Sequence, residues 1–376
     1  MELDGSKQGM LSLEEDRARG EIIFKDLAAR RISWKCLELA ERQWPLVLAL
    51  MERLLRRALA LRFTDPAKMV SLAEAACNLS EMLPVERYGQ RLTNDLRARA
   101  WAEFGNALRV ADELPKAGEA LARARGLAAC GTGSLALVAR IADLTASFLT
   151  ELRRFAEAAD LLRSVAEAWY KRGRLEPFVK ALVQMGRVHT QDYQPQLAIA
   201  VHAQALNYLR PGDPLFLPVL HTMALNFVEI GRADMADRMI RKFRGLYRRK
   251  GKLNEYRLFW LEGKIAFSLG NWRRAEGKLQ TARLAFERKG KPFDAALVSL
   301  DLALIFAQQE RRKELAWLIK QMLQTFQSLG IVRETIATLT LLRRSVEDRR
   351  PVEHLCGQIE ALIRLMPELR PRPAMK

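Results

Sequence analysis

The chain has 376 residues, of which 49% are hydrophobic, 7% aromatic and 28% charged, and its formal net charge is +18. This composition supports an extensive apolar core and excludes an intrinsically disordered chain, while four scattered cysteines without a CxxC pair exclude a small disulfide-stabilised domain. The positive charge favours anionic partners, although a requirement for solubility would also account for it.

The first 62 residues differ in character from the rest of the chain. Residues 1–20 are polar and mixed in charge, so we expect a flexible tail there. Residues 21–62 are predicted to form N-terminal helices that cap the fold, with Pro45 at the start of the longest one. The start of the chain lacks a signal-peptide core, and the apolar run at 44–50 is too short to cross a bilayer. We therefore expect a cytoplasmic protein without a membrane partner.

A repeated unit follows, in which a small residue is paired with a second small or apolar residue twelve positions later. The unit recurs every 38 to 41 residues, and its pairs are Gly105/Ala117, Ala146/Ala158, Gly186/Ala198, Ala224/Ala236, Gly263/Ala275 and Ala303/Leu315. Glycines at a similar spacing close the units: Gly133, Gly173, Gly212, Gly251, Gly290 and Gly330. This periodicity predicts an all-α array of stacked helical hairpins, because paired small residues let two helices approach closely.

The array is predicted to cover residues 63–330, with a degenerate capping hairpin at 331–365 and a tail at 366–376. Within it, the run from Trp101 through Gly105 and Leu108 to Ala117, Leu121 and Ala124 resembles a tetratricopeptide repeat, as does the run from Gly263 to Ala282. The period near 40 departs from the usual 34 residues and is similar to that of bacterial regulators of the MalT and peptide-sensor type. The resemblance implies a right-handed α-solenoid of about seven hairpins. The chain also resembles an uncharacterised class of bacterial repeat proteins, and that resemblance supplies no activity.

In the tetratricopeptide pattern, positions 2, 5, 9 and 12 of each inner helix face the concave groove. The candidate groove residues at these positions are Arg99, Asn106, Arg109, Arg140, Lys180, Arg187, His221, Arg257, Trp260, Lys264 and Phe267. Seven of the inward positions are basic and one is acidic, which favours a groove for an acidic peptide or protein, with Trp260 and Phe267 as apolar anchors. Charges that simply solvate an empty groove would give the same pattern.

Basic residues also recur at the ends of the outer helices. They are Lys171, Arg172, Arg174, Arg248, Arg249, Lys250, Lys252, Arg288, Lys289 and Lys291. Because they share a phase of the repeat, they are predicted to line one edge, where they would bind phosphate groups. Cations are also favoured at helix C-termini by the helix dipole, and similar residues occur in the opposite turns, so nucleic acid is the less favoured partner.

Signals for catalysis are weak in this sequence. The four histidines form no metal-binding pair with the cysteines, His202 occupies a packing position, and the CGTG run at 130–133 lacks the lysine of a phosphate-binding loop. We expect no enzyme, cofactor or metal site. The favoured function is a scaffold or adaptor that binds a protein partner, the first alternative is a ligand- or peptide-sensing regulator, and the second is an accessory subunit of a nucleic-acid complex.

Overall fold

The computed structural model describes residues 12–23, 25, 40–62 and 64–328, and all regular structure within them is α-helical. Contacts divide the chain into two compact units at Gln184 and Met185. The first unit contains residues 12–23 (α1), Ala40–Leu61 (α2), Pro66–Glu81 (α3), Val85–Tyr88 (α4), Gln90–Val110 (α5), Leu114–Ala129 (α6), Leu135–Glu151 (α7) and Phe155–Lys171 (α8). Helix α9, Leu175–Gln191, contains the boundary. The second unit continues with Pro195–Leu206 (α10), Phe216–Glu229 (α11), Ala233–Arg249 (α12), Lys252–Ser268 (α13), Trp272–Arg288 (α14), Pro292–Gln308 (α15) and Arg312–Ser328 (α16).

The helices pair into hairpins, as the repeat predicts. The described residues contain seven of them: α2/α3, α5/α6, α7/α8, α9/α10, α11/α12, α13/α14 and α15/α16. Helix α3 begins as expected, with Pro66 in its first turn and the Asp65 side chain accepting a hydrogen bond from the amide of Lys68. The hairpin count agrees with the predicted fold class, whereas the handedness of the array and the predicted domain boundaries stay predictions.

The small residues allow the close helix contacts that the sequence predicts. A Cβ atom on Gly263 would lie 2.6 Å from Cγ of Leu279, and one on Gly105 would lie 2.9 Å from Cγ of Leu121. The crowding side chain therefore comes from sixteen positions later, one helical turn beyond the second small residue. This position is buried in all six units and holds Leu121, Leu162, His202, Ile240, Leu279 and Ile319.

The turns within the hairpins share one backbone conformation at a fixed position. The residue seven positions after the first small residue has a left-handed φ in every unit, and these residues are Asp112, Arg153, Tyr193, Gly231, Gly270 and Glu310. Of the glycines predicted to close the units, Gly133, Gly173, Gly251 and Gly290 also have left-handed φ. Gly212 does not, because α10 ends at Leu206 and a longer connection precedes α11. Gly330 and the predicted capping hairpin lie outside the described residues.

Part of the segment predicted to be a flexible tail is ordered, while residues 1–11 lie outside the described part of the chain. Residues 12–23 are helical, and Asp16 is fully buried. Arg87 Nη2 donates to Asp16 Oδ1 at 2.6 Å, and the Tyr88 hydroxyl donates to Oδ2 at 2.7 Å. Gly20 lies so close to α2 that a Cβ atom would meet the carbonyl oxygen of Pro45 at 2.1 Å. The buried Asp16 carboxylate thus accepts three hydrogen bonds from Arg87 and Tyr88. These bonds fix a segment that composition alone predicts to be a tail.

The structure also corrects two predictions, the position of Pro45 in its helix and the burial of all four cysteines. Pro45 lies inside α2 rather than at its start, since the helix already begins at Ala40. Cys77 is buried as expected, and burial raises the pKa of its thiol to about 12, but Cys130 is exposed at the end of α6. His202 occupies the core, as its packing position predicts.

Candidate functional site

A pocket of about 420 Å³ lies among the inner helices of the second unit. Helices α9, α11, α13 and α15 and the turn into α10 supply its walls. The lining residues are Thr190, Tyr193, Pro195, His221, Leu225, Asn226, Glu229, Trp260, Leu261, Lys264, Leu297, Leu300 and Asp301. Its size falls within the range typical of small-molecule and side-chain binding sites.

One wall of the pocket carries a charge network between α13 and α15. Lys264 Nζ lies 2.7 Å from Oδ1 of Asp301, and the indole N–H of Trp260 donates to Oδ2 of the same carboxylate. The side chains of Lys264 and Asp301 are only 18% and 8% exposed. Both carboxylate oxygens are therefore engaged, the lysine charge is neutralised, and the orientation of the Trp260 ring at the pocket is fixed.

A neutral polar network joins α9 to α11 on the opposite side. The buried amide of Asn226 donates to Oγ1 of Thr190 at 3.0 Å and to the carbonyl of Thr222 at 3.0 Å. Thr190 in turn donates to the carbonyl of Gly186. Because both protons of the Asn226 amide are used, this network positions the wall and leaves only acceptor capacity for a ligand.

His221 contributes an imidazole that is held neutral. Its Nδ1 lies 3.2 Å from the hydroxyl of Tyr247, and the rings pack with centroids 6.0 Å apart. Burial lowers the pKa of His221 to about 4, and the nearby charge of Arg257 acts in the same direction. At neutral pH the pocket therefore presents an uncharged aromatic ring at this position.

The charges that remain at the pocket are few. Glu229 is exposed at the end of α11, and its carboxylate has no hydrogen bond or ion pair with the described residues. Leu225, Leu261, Leu297 and Leu300 form the apolar part of the lining. With Lys264 and Asp301 neutralising each other, Glu229 is the unpaired charge among the pocket-lining residues.

The basic groove predicted in the first unit is neutralised by carboxylates, most of which lie outside the four inward positions of the repeat. Arg140 binds both oxygens of Glu103, at 2.8 and 3.1 Å, and also lies 3.2 Å from Asp143. Arg109 bridges Glu151 and Asn106, each at 3.0 Å, and burial lowers its pKa. The other predicted cations of this unit pair as Arg99 with Glu52 at 3.3 Å and Lys180 with Glu176 at 2.7 Å.

These pairs correct the charge argument made from sequence. Glu103 and Asp301 both occupy the sixth position of their inner helices, and each pairs with a cation 37 residues away on a neighbouring inner helix. Since long side chains reach across to the next helix, the four inward positions alone overstate the free positive charge. The excess of basic residues therefore does not describe a uniformly cationic groove.

The second unit brings together only part of the predicted set. His221, Trp260 and Lys264 line the pocket, together with Thr190 and three leucines at inward positions. Phe267 packs edge-to-face on Trp272 with centroids 5.0 Å apart and is not among the lining residues. Arg187 and Arg257 are exposed outside the lining set.

Sequence reasoning missed Asn226, Glu229 and Asp301. Glu229 and Asp301 each lie one helical turn after a predicted inward residue, Leu225 and Leu297, so a wider inward face would have included them. Asn226 gave no such signal, because it adjoins Leu225 in sequence and its role depends on Thr190 in another helix.

The basic residues predicted at the ends of the outer helices are all exposed, at or just beyond those ends. In the first unit these are Lys171, Arg172 and Arg174, and Arg172 donates to the carbonyl of Ala168 at 3.2 Å. The remainder belong to the second unit: Arg248, Arg249, Lys250, Lys252, Arg288, Lys289 and Lys291.

Comparison with solved structures places the fold among helical repeat proteins. The apo form of RapI matches with a TM-score of 0.63 and 9% identity over 97% of this chain and 98% of that one. A Rap protein complexed with competence and sporulation factor matches with a TM-score of 0.56 and 15% identity, over 85% and 88%. A tetratricopeptide repeat protein from Parabacteroides merdae matches with a TM-score of 0.50 and 15% identity, over 82% and 98%.

No model of a known protein family matches the sequence, and no curated protein matches it either. The structural matches nevertheless agree with the resemblance found in the sequence, and the chain has the tetratricopeptide type of helical repeat fold. Within the part of the chain that the structure describes, every helix is too short or too polar to cross a membrane.

Proposed function

We propose that the chain is a non-enzymatic interaction protein that binds an extended segment of a protein or peptide partner in the pocket of the second unit. The observation that carries this proposal is the convergence of α9, α11, α13 and α15 on one partly apolar pocket. Inner helices of successive hairpins meet there, as in proteins that use a repeat fold to present a binding surface. A Rap protein with a similar fold has been solved in complex with competence and sporulation factor.

The chemistry of the pocket favours an apolar side chain next to a cationic group. The four leucines and Trp260 offer apolar contacts, while Glu229 offers an unpaired carboxylate at the margin. Lys264 is already neutralised by Asp301, so little free positive charge remains in the lining for an acidic ligand. The pocket therefore favours a partner segment that carries a leucine-like or aromatic residue and a nearby lysine, arginine or terminal amine, in place of the acidic segment expected from sequence.

A sensing role is the second candidate, because the pocket walls come from several hairpins. A ligand that touches α9, α11, α13 and α15 at once would favour the arrangement in which these helices are closest. Small-angle scattering with and without a bound peptide tests this role. A smaller radius of gyration in the complex supports sensing, and an unchanged radius leaves only the binding role.

The binding proposal is tested by selecting peptides from a random library on the full chain and measuring their affinity for variants. We expect selected peptides to combine an apolar and a basic residue, and Glu229→Gln to weaken binding by about tenfold, since a charged hydrogen bond contributes about 1.5–3 kcal/mol. Leu297→Gln should also weaken it, by removing apolar contact at the lining.

Matched controls lie outside the pocket. Glu310→Gln removes an exposed carboxylate in the α15–α16 turn, and Leu284→Gln removes a leucine that is 42% exposed on α14. Both controls should bind like the native chain. Peptides whose affinity is equal for pocket variants and controls, or a library that yields no binder, would overturn the proposal.

A further inference from the structure

A second charged surface of the second unit remains outside the pocket. It is the edge at which the outer helices end and the chain turns into the next hairpin. We call it the basic edge and define it by Arg210, Arg248, Arg249, Lys250, Lys252, Arg288, Lys289 and Lys291, all of them exposed. These residues lie in or beside the three turns that follow α10, α12 and α14.

Carboxylates along the basic edge are mostly engaged. Glu255 serves both Arg248, at 3.8 Å, and Lys252, at 3.1 Å. Asp213 accepts the backbone amide of Arg210 at 2.7 Å, and Glu287 pairs with Arg283 at 2.8 Å on its own helix.

Six exposed cations of the basic edge are left without a carboxylate partner among the described residues. They are Arg210, Arg249, Lys250, Arg288, Lys289 and Lys291. Asp294, half-buried in the first turn of α15, is the remaining acid near them. The basic edge therefore keeps a strong excess of positive charge after its ion pairs are counted.

These cations are arranged in sequence along the edge. Lys250 Nζ donates to the carbonyl of Gly212 at 3.2 Å, so the turn after α12 lies directly against the turn after α10. The turn after α14 holds three further cations at the equivalent place in the next repeat, 39 residues on. The result is a row of positive charge that runs from turn to turn.

Direct hydrogen bonds to the ends of their own helices do not account for this row. In the first unit, Arg172 does cap its own helix by donating to Ala168. In the described contacts of the second unit, no side chain of the basic edge donates to a carbonyl of its own helix, and Lys250 reaches a neighbouring turn instead. The cations are thus available to a ligand.

The opposite edge of the same unit supplies an internal comparison. There Arg232 pairs with Asp234, and Arg311 with Glu276 and Glu314. Arg273, Arg274 and Lys313 are exposed on that edge, but Glu229 and Glu310 are exposed beside them. Charge on the opposite edge is therefore nearly balanced, whereas the basic edge keeps the larger excess of positive charge.

We propose that the basic edge binds the phosphodiester backbone of nucleic acid. A row of arginine and lysine side chains in consecutive turns matches a linear polyanion, whose phosphates recur along a line, better than it matches a flat membrane surface. Contacts of this kind position the chain on nucleic acid without reading bases. The proposal is independent of the pocket, because none of its residues lines that site.

The test compares two triple variants of the full chain that remove equal charge from exposed positions. One is Arg249→Gln, Arg288→Gln and Lys289→Gln on the basic edge, and the other is Arg273→Gln, Arg274→Gln and Lys313→Gln on the opposite edge. Fluorescence anisotropy measures their affinity for labelled mixed-sequence DNA duplex and single-stranded RNA over a series of salt concentrations. Vesicles of phosphatidylglycerol and phosphatidylcholine form a third arm.

We expect the native chain to bind nucleic acid with a steep salt dependence and without sequence preference. The basic-edge variant should lose about tenfold or more in affinity at low salt, and its slope of log K against log salt should fall by about 2 to 3 for duplex DNA. The opposite-edge variant should keep most of the affinity. Equal losses in both variants, no binding by the native chain at low salt, or binding to vesicles in preference to nucleic acid would each overturn the proposal.

Discussion

Lys264 and Asp301 form a largely buried ion pair between two neighbouring inner helices, with Nζ and Oδ1 2.7 Å apart. The same carboxylate accepts the indole N–H of Trp260, so one acidic residue holds two members of the pocket wall. This pair explains why a residue predicted to be a free groove cation contributes little net charge to the pocket.

Removal of Asp301 should destabilise the second unit strongly. Asp301→Ala leaves the Lys264 charge without a partner and the Trp260 N–H without an acceptor, at a cost of about 3–5 kcal/mol in urea denaturation. The double variant Lys264→Met, Asp301→Leu should be more stable than the single variant, because it leaves no buried charge uncompensated. A double variant that is less stable than Asp301→Ala would contradict this account.

The contact between Gly263 and Leu279 predicts a position-specific effect of a single methyl group. Gly263→Ala should lower the free energy of unfolding by about 1–3 kcal/mol, since the new Cβ would lie 2.6 Å from Leu279 Cγ. Gly277→Ala, on the partner helix α14 of the same hairpin, is the matched control, because a Cβ atom there would meet no neighbouring side chain or helix within 4 Å. The control should gain up to about 1 kcal/mol from helix propensity. Equal effects of the two substitutions would contradict the close-packing explanation.

Asp16 is expected to fix the N-terminal helix. Asp16→Ala removes the shared acceptor of Arg87 and Tyr88, so amides within residues 12–23 should exchange with deuterium at least about tenfold faster. Glu15→Ala removes an exposed carboxylate from the same helix and should leave the exchange unchanged. If Asp16→Ala exchanges like the Glu15 control, the buried network does not hold this segment.

The lowered pKa of His221 predicts a loss of stability in acid. In the folded chain its pKa is about 4, against an ordinary value of 6.5, so the unfolded chain binds more protons between these two values. Above pH 6.5 His221 is neutral in both states, and the free energy of unfolding is at its highest. It should fall by roughly 1–3 kcal/mol as the pH falls towards about 4.

Urea denaturation at a series of pH values checks this prediction by comparing the native chain with His221→Gln. The difference in unfolding free energy between the two chains should change with pH over that window, since only the native chain has the imidazole. Tyr247 and Arg257 are the titratable and charged groups that act at this ring, and burial raises the pKa of Tyr247, so its hydroxyl stays protonated across this window. A constant difference would show that His221 is hydrated in the folded chain.

Local sequence determined the helical hairpins, because each hairpin depends on residues that lie close together in the chain. The spacing of Gly263 and Ala275 predicts a close helix pair, and Asp65 with Pro66 predicts a helix start, without knowledge of any distant residue. The inward positions of the repeat similarly predicted that His221, Trp260 and Lys264 would share a surface, and all three line the pocket.

Tertiary structure decided which charged side chains remain unpaired and whether the helix at residues 12–23 is fixed to the rest of the chain. Arg140 pairs with Glu103, and Lys264 with Asp301, across 37 residues of sequence. Asp16 pairs with Arg87 across 71 residues. Periodicity gives the direction of a side chain from its own helix. A hydrogen-bonded ion pair also requires a partner atom within about 3 Å on another helix, which periodicity does not give. The repeat therefore fixed the scaffold in advance, and only the packed helices settled the electrostatic character of its surfaces.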